Sequence, residues 1–199
     1  MPSQAEGLAL CQYARASIRA ALGGPDAVPP QNPAFDKDGA CFVTLYRDGE
    51  LHGCIGSFAR LPLVETLPRS AVSAAFEDPR ATPLSFRDLD DLDLEISMLS
   101  SATPIAFSSE EEARDALRPA IDGVILRYHP HHGTARHGLF LPQVWQSLPD
   151  PKDFLDELKR KAGLPRTFWA PEITLERFTV EVIHDEAPRV RLRRIARHS

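Results

Sequence analysis

The sequence predicts an α+β fold: a mostly antiparallel sheet flanked by helices. Three observations carry that prediction. Helix-like and strand-like segments alternate irregularly, without the strand–helix rhythm of a doubly wound parallel sheet. One connection, Arg47-Asp48-Gly49-Glu50, holds the Asp-Gly signal of a tight β-hairpin. And 18 prolines in 199 residues favour short elements with rigid connections over a helix bundle.

The elements follow in order. Ser3-Gln4-Ala5-Glu6 is a capping-box pattern and Gly23-Gly24 a stop, which predicts a first helix between them. Leu8, Cys11, Ile18 and Leu22 fall on one face of it, so Cys11 reads as a core residue. Pro25, Pro29, Pro30 and Pro33 predict an extended crossing. Residues 40–46 are β-branched and aromatic and predict a strand, with Leu51–Phe58 as its hairpin return. Leu63–Phe76 reads as a helix, stopped by Glu77-Asp78-Pro79-Arg80. Ser85 opens a short helical turn, and Leu94–Met98 alternates as a strand. Ser109 caps a short acidic helix through Leu117. Gly123–Tyr128 and Gly138–Leu141 read as neighbouring strands, and Pro142 sits at the first position of a helix carrying Val144 and Trp145. A helix from Lys152 to Ala162 ends at Gly163, and Thr174–Ile183 reads as one long alternating strand. No internal repeat is present.

Composition narrows the function classes. Hydrophobic residues at 43% and charged residues at 26% are globular values and exclude a disordered chain. At this length roughly 70% of the unfolded surface can be buried, so folding needs no metal or disulfide staple. Cys11, Cys41 and Cys54 are too few for a disulfide framework, which favours a reducing compartment. No positive charge precedes Arg15 and no apolar run approaches the about 18 residues of a membrane span. The expectation is a soluble, cytoplasmic protein without membrane contact. A net charge of −5 argues against a general nucleic-acid-coating role. The last twelve residues hold Arg189, Arg191, Arg193, Arg194 and Arg197; removing these five from the 23 basic residues leaves 18 against 28 acidic. Residues 188–199 therefore read as a basic tail on an acidic body spanning 1–187.

The hairpin is the candidate site. Gly53 and Gly56 bracket Cys54 and Ile55 in a strand, where glycine marks a bulge or the close approach of another backbone or a ligand. A two-residue turn at Asp48-Gly49 pairs Leu45 with His52, Val43 with Cys54 and Cys41 with Gly56. That register puts Cys41, His52 and Cys54 on one side, with Cys41 and Cys54 as diagonal neighbours about 7–8 Å apart. The distance is too long for an unstrained disulfide. Two readings stay open. In one, Cys54 is a reactive thiol; an ordinary thiol is only about 3% thiolate at pH 7, and a cationic His52 beside it would raise that share. In the other, Cys54 is a small buried hydrophobe and the glycines let a helix pack close.

At Leu51-His52-Gly53-Cys54-Ile55-Gly56 the chain resembles the AMMECR domain family (AmmeMemoRadiSam system protein A), whose signature is Leu-Arg-Gly-Cys-Ile-Gly. Here His52 stands where the signature has arginine. The likeness continues through Phe42-Val43-Thr44-Leu45, Ala74-Ala75, Asp78-Pro79-Arg80, Pro83-Leu84, Leu94-Glu95-Ile96-Ser97, Gly138-Leu139, Leu141-Pro142-Gln143-Val144 and Lys161-Ala162-Gly163-Leu164, about residues 7–185 in all. The resemblance implies an antiparallel α+β fold with a smaller β-containing subdomain. It implies a pathway shared with a Memo-like protein and a radical S-adenosylmethionine enzyme, and it brings no reaction with it. The chain has no cysteine triad for an iron–sulfur cluster of its own. If the family arginine clamps an anion bidentately, His52 cannot reproduce the fork, though it can donate to one oxygen in a pH-dependent way.

Other residues have a plain reading beside a functional one. Arg80 pairs with Asp78 at a helix end or reaches the hairpin pocket. Glu95 shares a strand face with Ser97, as a solvated residue or as a base. His129, His131, His132 and His137 form a dense run in a Pro/Gly loop whose spacing matches no tetrahedral zinc pattern; His137 is its best metal candidate. Trp145 and Trp169 read as packing residues. Three functions remain: a ligand- or partner-binding adaptor centred on Leu51–Gly56 and its surroundings (Gly53, Ile55, Gly56, Cys41, Arg80, Glu95), an enzyme using Cys54 with His52 on a small substrate, or a nucleic-acid-associated factor acting through the tail. The sequence names no cofactor and no oligomeric state.

Overall fold

The structure is a computed structural model that describes residues 2–32 and 35–185. Pro33 and the basic segment 188–199 lie outside the described residues. The elements run α1 (Gln4–Ala21), β1 (Asp38–Arg47), β2 (Glu50–Pro62), α2 (Leu63–Phe76), a 3-10 turn (Phe86–Asp91), β3 (Leu92–Leu99), β4 (Thr103–Ile105), α3 (Glu110–Asp115), β5 (Gly123–Tyr128), β6 (Arg136–Phe140), a 3-10 turn (Pro142–Gln146), α4 (Pro151–Lys161), β7 (Ile173–Phe178) and β8 (Val180–His184). They build two four-stranded sheets, ordered β2-β1-β3-β8 and β4-β7-β5-β6, with every pairing antiparallel. The α+β architecture matches the prediction.

Each sheet packs helices on one face. On the first, Val43, Leu45 and Ile96 meet Leu10, Cys11, Ala14 and Ile18 of α1 and Leu67 and Ala71 of α2. The capping box at Ser3 and Glu6 closes the α1 N-terminus. Leu8, expected on the buried face, is 41% exposed; the apolar stripe runs instead through Leu10, Cys11, Ala14 and Ile18. On the second sheet, Val124, Leu126 and Leu175 meet Phe154, Leu155 and Leu158 of α4. Trp145 stacks on Phe154 with ring centres 3.7 Å apart, and its indole N–H donates to the Asp122 carbonyl at 2.7 Å. Burying side chains of this size contributes about 1.5–3 kcal/mol each. A smaller cluster of Ala40, Leu99 and Phe178 joins the sheets, with Phe42, Ile125 and Leu139 packed on it.

The segment read as one long strand is two. It breaks at Thr179, where the chain leaves the second sheet (β7) and enters the first (β8). Beside it, β3 continues into β4, an unpredicted strand, and crosses the other way. A single two-stranded ribbon therefore runs through both sheets. Ser100 and Thr179 hold its middle: the Ser100 N–H donates to the Thr179 carbonyl, and the Thr179 N–H to Ser100 Oγ, each at 2.9 Å. Alternation alone could not reveal the break, because both halves keep the period of two.

Candidate functional site

The β1–β2 hairpin begins as expected. Asp48 (φ 53°) and Gly49 (φ 86°) are both left-handed, as a type I′ turn requires, and Arg47 pairs with Glu50 and Tyr46 with Leu51. Then the register slips. Leu45 pairs with Gly53, which leaves His52 as an extra residue, a β-bulge. Beyond it Thr44 faces Cys54, Val43 faces Ile55, Phe42 faces Gly56 and Cys41 faces Ser57. The predicted pairs Leu45–His52, Val43–Cys54 and Cys41–Gly56 are each off by one.

One residue of slip exchanges the faces. Ile55 packs on the helical core with Val43. His52 is buried, with Nε2 3.4 Å from the Ala75 carbonyl at the end of α2. Cys41 is buried in the same core, where burial pushes its thiol up to about 11. Cys54 stands on the opposite, helix-free face. Thus Cys41, His52 and Cys54 do not share a pocket, and His52 is not placed to act on the Cys54 sulfur. Leu51, paired with Tyr46, is 50% exposed on the helix-free side.

Both glycines have close neighbours. A Cβ on Gly53 would lie 2.2 Å from the Ala74 carbonyl oxygen, so α2 packs where only glycine fits. A Cβ on Gly56 would meet the Cys41 carbonyl oxygen at 2.3 Å and the Phe42 ring at 2.6 Å. These contacts account for both positions without a ligand.

Around Cys54 the polar groups are organised. Its backbone N–H donates to Asp78 Oδ2 at 2.9 Å. The same carboxylate takes Arg80 Nε at 2.9 Å, an Arg80 terminal nitrogen at 2.6 Å and the Arg80 backbone N–H at 3.0 Å. Hydrogen bonds from Arg80, then from the Cys54 backbone, hold the buried Asp78 carboxyl far below the usual range. The loop after α2 is thereby tied to β2, while the Arg80 side chain remains 59% exposed. The plain reading of Arg80, pairing with Asp78, is what the geometry shows; the pair reaches the hairpin through the Cys54 backbone.

The Thr44 hydroxyl donates to Cys54 Sγ at 3.3 Å. Thr44 also faces Glu95 on β3, and Glu95 faces His184 on β8, whose Nδ1 is 3.7 Å from the carboxylate. Cys54, Thr44, Glu95 and His184 therefore form one row across all four strands, with neighbouring strands about 4.8 Å apart. Tyr46 lies beside the row; burial, then the negative charge of Glu95, pushes its phenol up. Cys11 is buried, and burial pushes its thiol up to about 12. Cys54 is the half-buried cysteine of the three. Chemically, the row offers a sulfur already accepting one hydrogen bond, the Thr44 hydroxyl, a carboxylate and an imidazole, with the Tyr46 phenol beside it.

The sequence reading placed Cys54 and Glu95 here and did not place Thr44, Tyr46 or His184. Alternation from Phe42 marks Thr44 and Tyr46 as a pair on one face; His184 ends a strand whose change of sheet was not legible. Elsewhere, exposed His131 lies 3.5 Å from Glu172, and His137 sits opposite Arg127 on β6. Among the described residues, no group of three His, Cys, Asp or Glu is placed to hold a metal ion, and no helix is long and apolar enough to cross a membrane.

Comparison with known proteins follows the same lines. The AMMECR1 family pattern matches residues 11–183. A protein of Methanothermobacter thermautotrophicus is 36% identical over 197 residues, covering 92% of this chain and 96% of its own. Protein MJ0810 of Methanocaldococcus jannaschii is 36% identical, covering 92% of each. The crystal structure of the uncharacterized protein PH0010 from Pyrococcus horikoshii superimposes with a TM-score of 0.74 at 32% identity, over 92% of this chain and 93% of that one. Both the motif-bearing hairpin and the two-sheet frame fall inside this shared span, and the chain belongs to the AMMECR1 family.

Proposed function

We propose that this chain is a binding protein whose contact surface is the helix-free face of the first sheet around Leu51–Gly56, acting in a pathway with Memo-like and radical S-adenosylmethionine proteins. The observation that carries this reading is the bulge at His52. It turns Cys54 out of the helical core and sets it beside Thr44, in a row with Glu95 and His184, between the exposed apolar residues Leu51 and Phe58. Exposed apolar side chains next to hydrogen-bonding groups give the face both kinds of contact an interface uses. The pathway assignment comes from the family resemblance alone.

The test is to mix the purified chain with the Memo-like and radical S-adenosylmethionine proteins of its own genome and follow association by size-exclusion chromatography. Iodoacetamide labelling of Cys54 is followed in parallel. The expected result is a complex in which Cys54 is protected, which persists in Cys54→Ser and is lost in Leu51→Glu. Absence of a complex together with unchanged labelling would refute it.

A second reading, Cys54 as a reactive thiol on a small substrate, is favoured by its half-buried position and the Thr44 hydroxyl that donates to its sulfur. Alkylation faster than that of a free cysteine at neutral pH supports it. Labelling no faster than free cysteine removes it.

A further inference from the structure

A concave surface adjoins the Cys54 row at Phe58. Strands β2 and β6 are the edges of their sheets, and a cleft of about 660 Å³ opens between them. Phe42, Phe58, Leu139, Leu141 and Val144 form its walls. The volume lies in the range of small-molecule sites, and the apolar lining with a few polar groups is their usual composition.

The polar groups here share one sign. Arg127, His137 and Lys161 reach the cleft, and no carboxylate lines it among the described residues. Register explains two of them: His137 and Arg127 are directly opposite on β6 and β5, while Gly138 and Leu126 face α4. Arg127 is partly neutralised by Glu176 at 2.9 Å. Lys161, the last residue of α4, meets no carboxylate among the described residues; its ammonium lies 5.0 Å from the centre of the Phe140 ring. An ammonium against an aromatic face at the mouth of an apolar cleft is a cation without a counter-ion.

We propose that this cleft binds a small amphipathic anion: an aromatic or branched aliphatic body between Phe42 and Phe58 on one side and Leu139 and Leu141 on the other, with its carboxylate, phosphate or sulfonate at Lys161. His137 also lines the cleft, on the strand face shared with Leu139. The cleft shares Phe58 with the hairpin face but takes nothing from Cys54, Thr44, Glu95 or His184.

The probe is 1-anilinonaphthalene-8-sulfonate, an aromatic body with one fixed negative charge, titrated by fluorescence at low ionic strength. The full chain is expected to bind it at one saturable site. Lys161→Glu weakens binding by roughly tenfold or more, the scale of one charge-assisted contact. Val144→Trp, which fills the cleft, abolishes it, and Ala59→Trp at the exposed rim does the same should the first variant fail to fold. N-phenyl-1-naphthylamine, which lacks the sulfonate, binds more weakly and is indifferent to Lys161→Glu. Cys54→Ser binds as the parent does, which keeps this result separate from that of the hairpin face. The proposal is overturned by absence of saturable binding, by folded cleft-filling variants that bind as the parent does, or by a neutral probe that binds as tightly as the anionic one. That last result would mark the cleft as a groove for an uncharged ligand or an apolar polypeptide segment.

Discussion

Replacing Gly53 by alanine adds a single methyl group at the tightest point of the hairpin. The new Cβ would stand 2.2 Å from the Ala74 carbonyl oxygen, where ordinary contact begins near 3.4 Å. Backbone cannot rotate away as a side chain can, so β2 and the end of α2 must separate by about 1 Å. That movement stretches the 2.9 Å bond from the Cys54 N–H to Asp78, to about 4 Å, beyond hydrogen bonding. Overpacking costs about 1–3 kcal/mol and a lost charged hydrogen bond about 1.5–3 kcal/mol, with partial overlap between them. The expected loss is about 2–4 kcal/mol, a fall in Tm of roughly 4–16 °C for a domain of this size. Denaturant melts give the free energy, and amide exchange at Cys54 reports whether its bond is the one released. A loss below about 0.5 kcal/mol, or exchange at Cys54 unchanged, would refute the claim that glycine is required by the helix rather than by a ligand.

Other outcomes follow from the same geometry. The Asp78 carboxyl titrates far below its unfolded value, so its stabilising contribution is complete above about pH 4 and fades as pH falls through its folded pKa. Asp78→Asn should therefore be less stable than the parent at pH 7, with the gap narrowing in acid; parallel stability curves from pH 7 to 2 would contradict this. Ser100→Ala leaves the Thr179 N–H without its partner at the ribbon crossing and should cost about 1–2 kcal/mol in urea melts, with faster exchange at Thr179. Trp145→Phe loses the bond to the Asp122 carbonyl and part of the stack on Phe154, and should destabilise by about 1–3 kcal/mol. An unchanged melt would show that the indole nitrogen is not needed there. In the native state, iodoacetamide should modify Cys54 ahead of buried Cys11 and Cys41, with mass spectrometry identifying the labelled peptide.

Much of the fold was legible because it is locally encoded. The capping box at Ser3, the Asp48-Gly49 turn and the stop at Gly163 (φ 77°) each act through their own few residues. The second-sheet pairing of β5 with β6 was legible for the same reason. Legibility ended where tertiary packing overrides local pattern. Nothing in Leu51–Gly56 announces that His52 is an extra residue in the strand, because the bulge lies where α2 packs close at Gly53 and Ala74. That one displaced residue decides which side chains accompany Cys54, so the site's location was readable and its membership was not. The break at Thr179 was hidden likewise, since a strand passing between sheets keeps its alternation.

The ribbon made by β3–β4 and β7–β8 has a mechanical consequence. Each lobe of the molecule hangs from the same two backbone strands, so neither can tilt without twisting the other's support. A wedge driven between the edge strands β2 and β6 would apply torque about Ser100 and Thr179 like a hand on a lever, and β8, which carries His184, lies on the far arm.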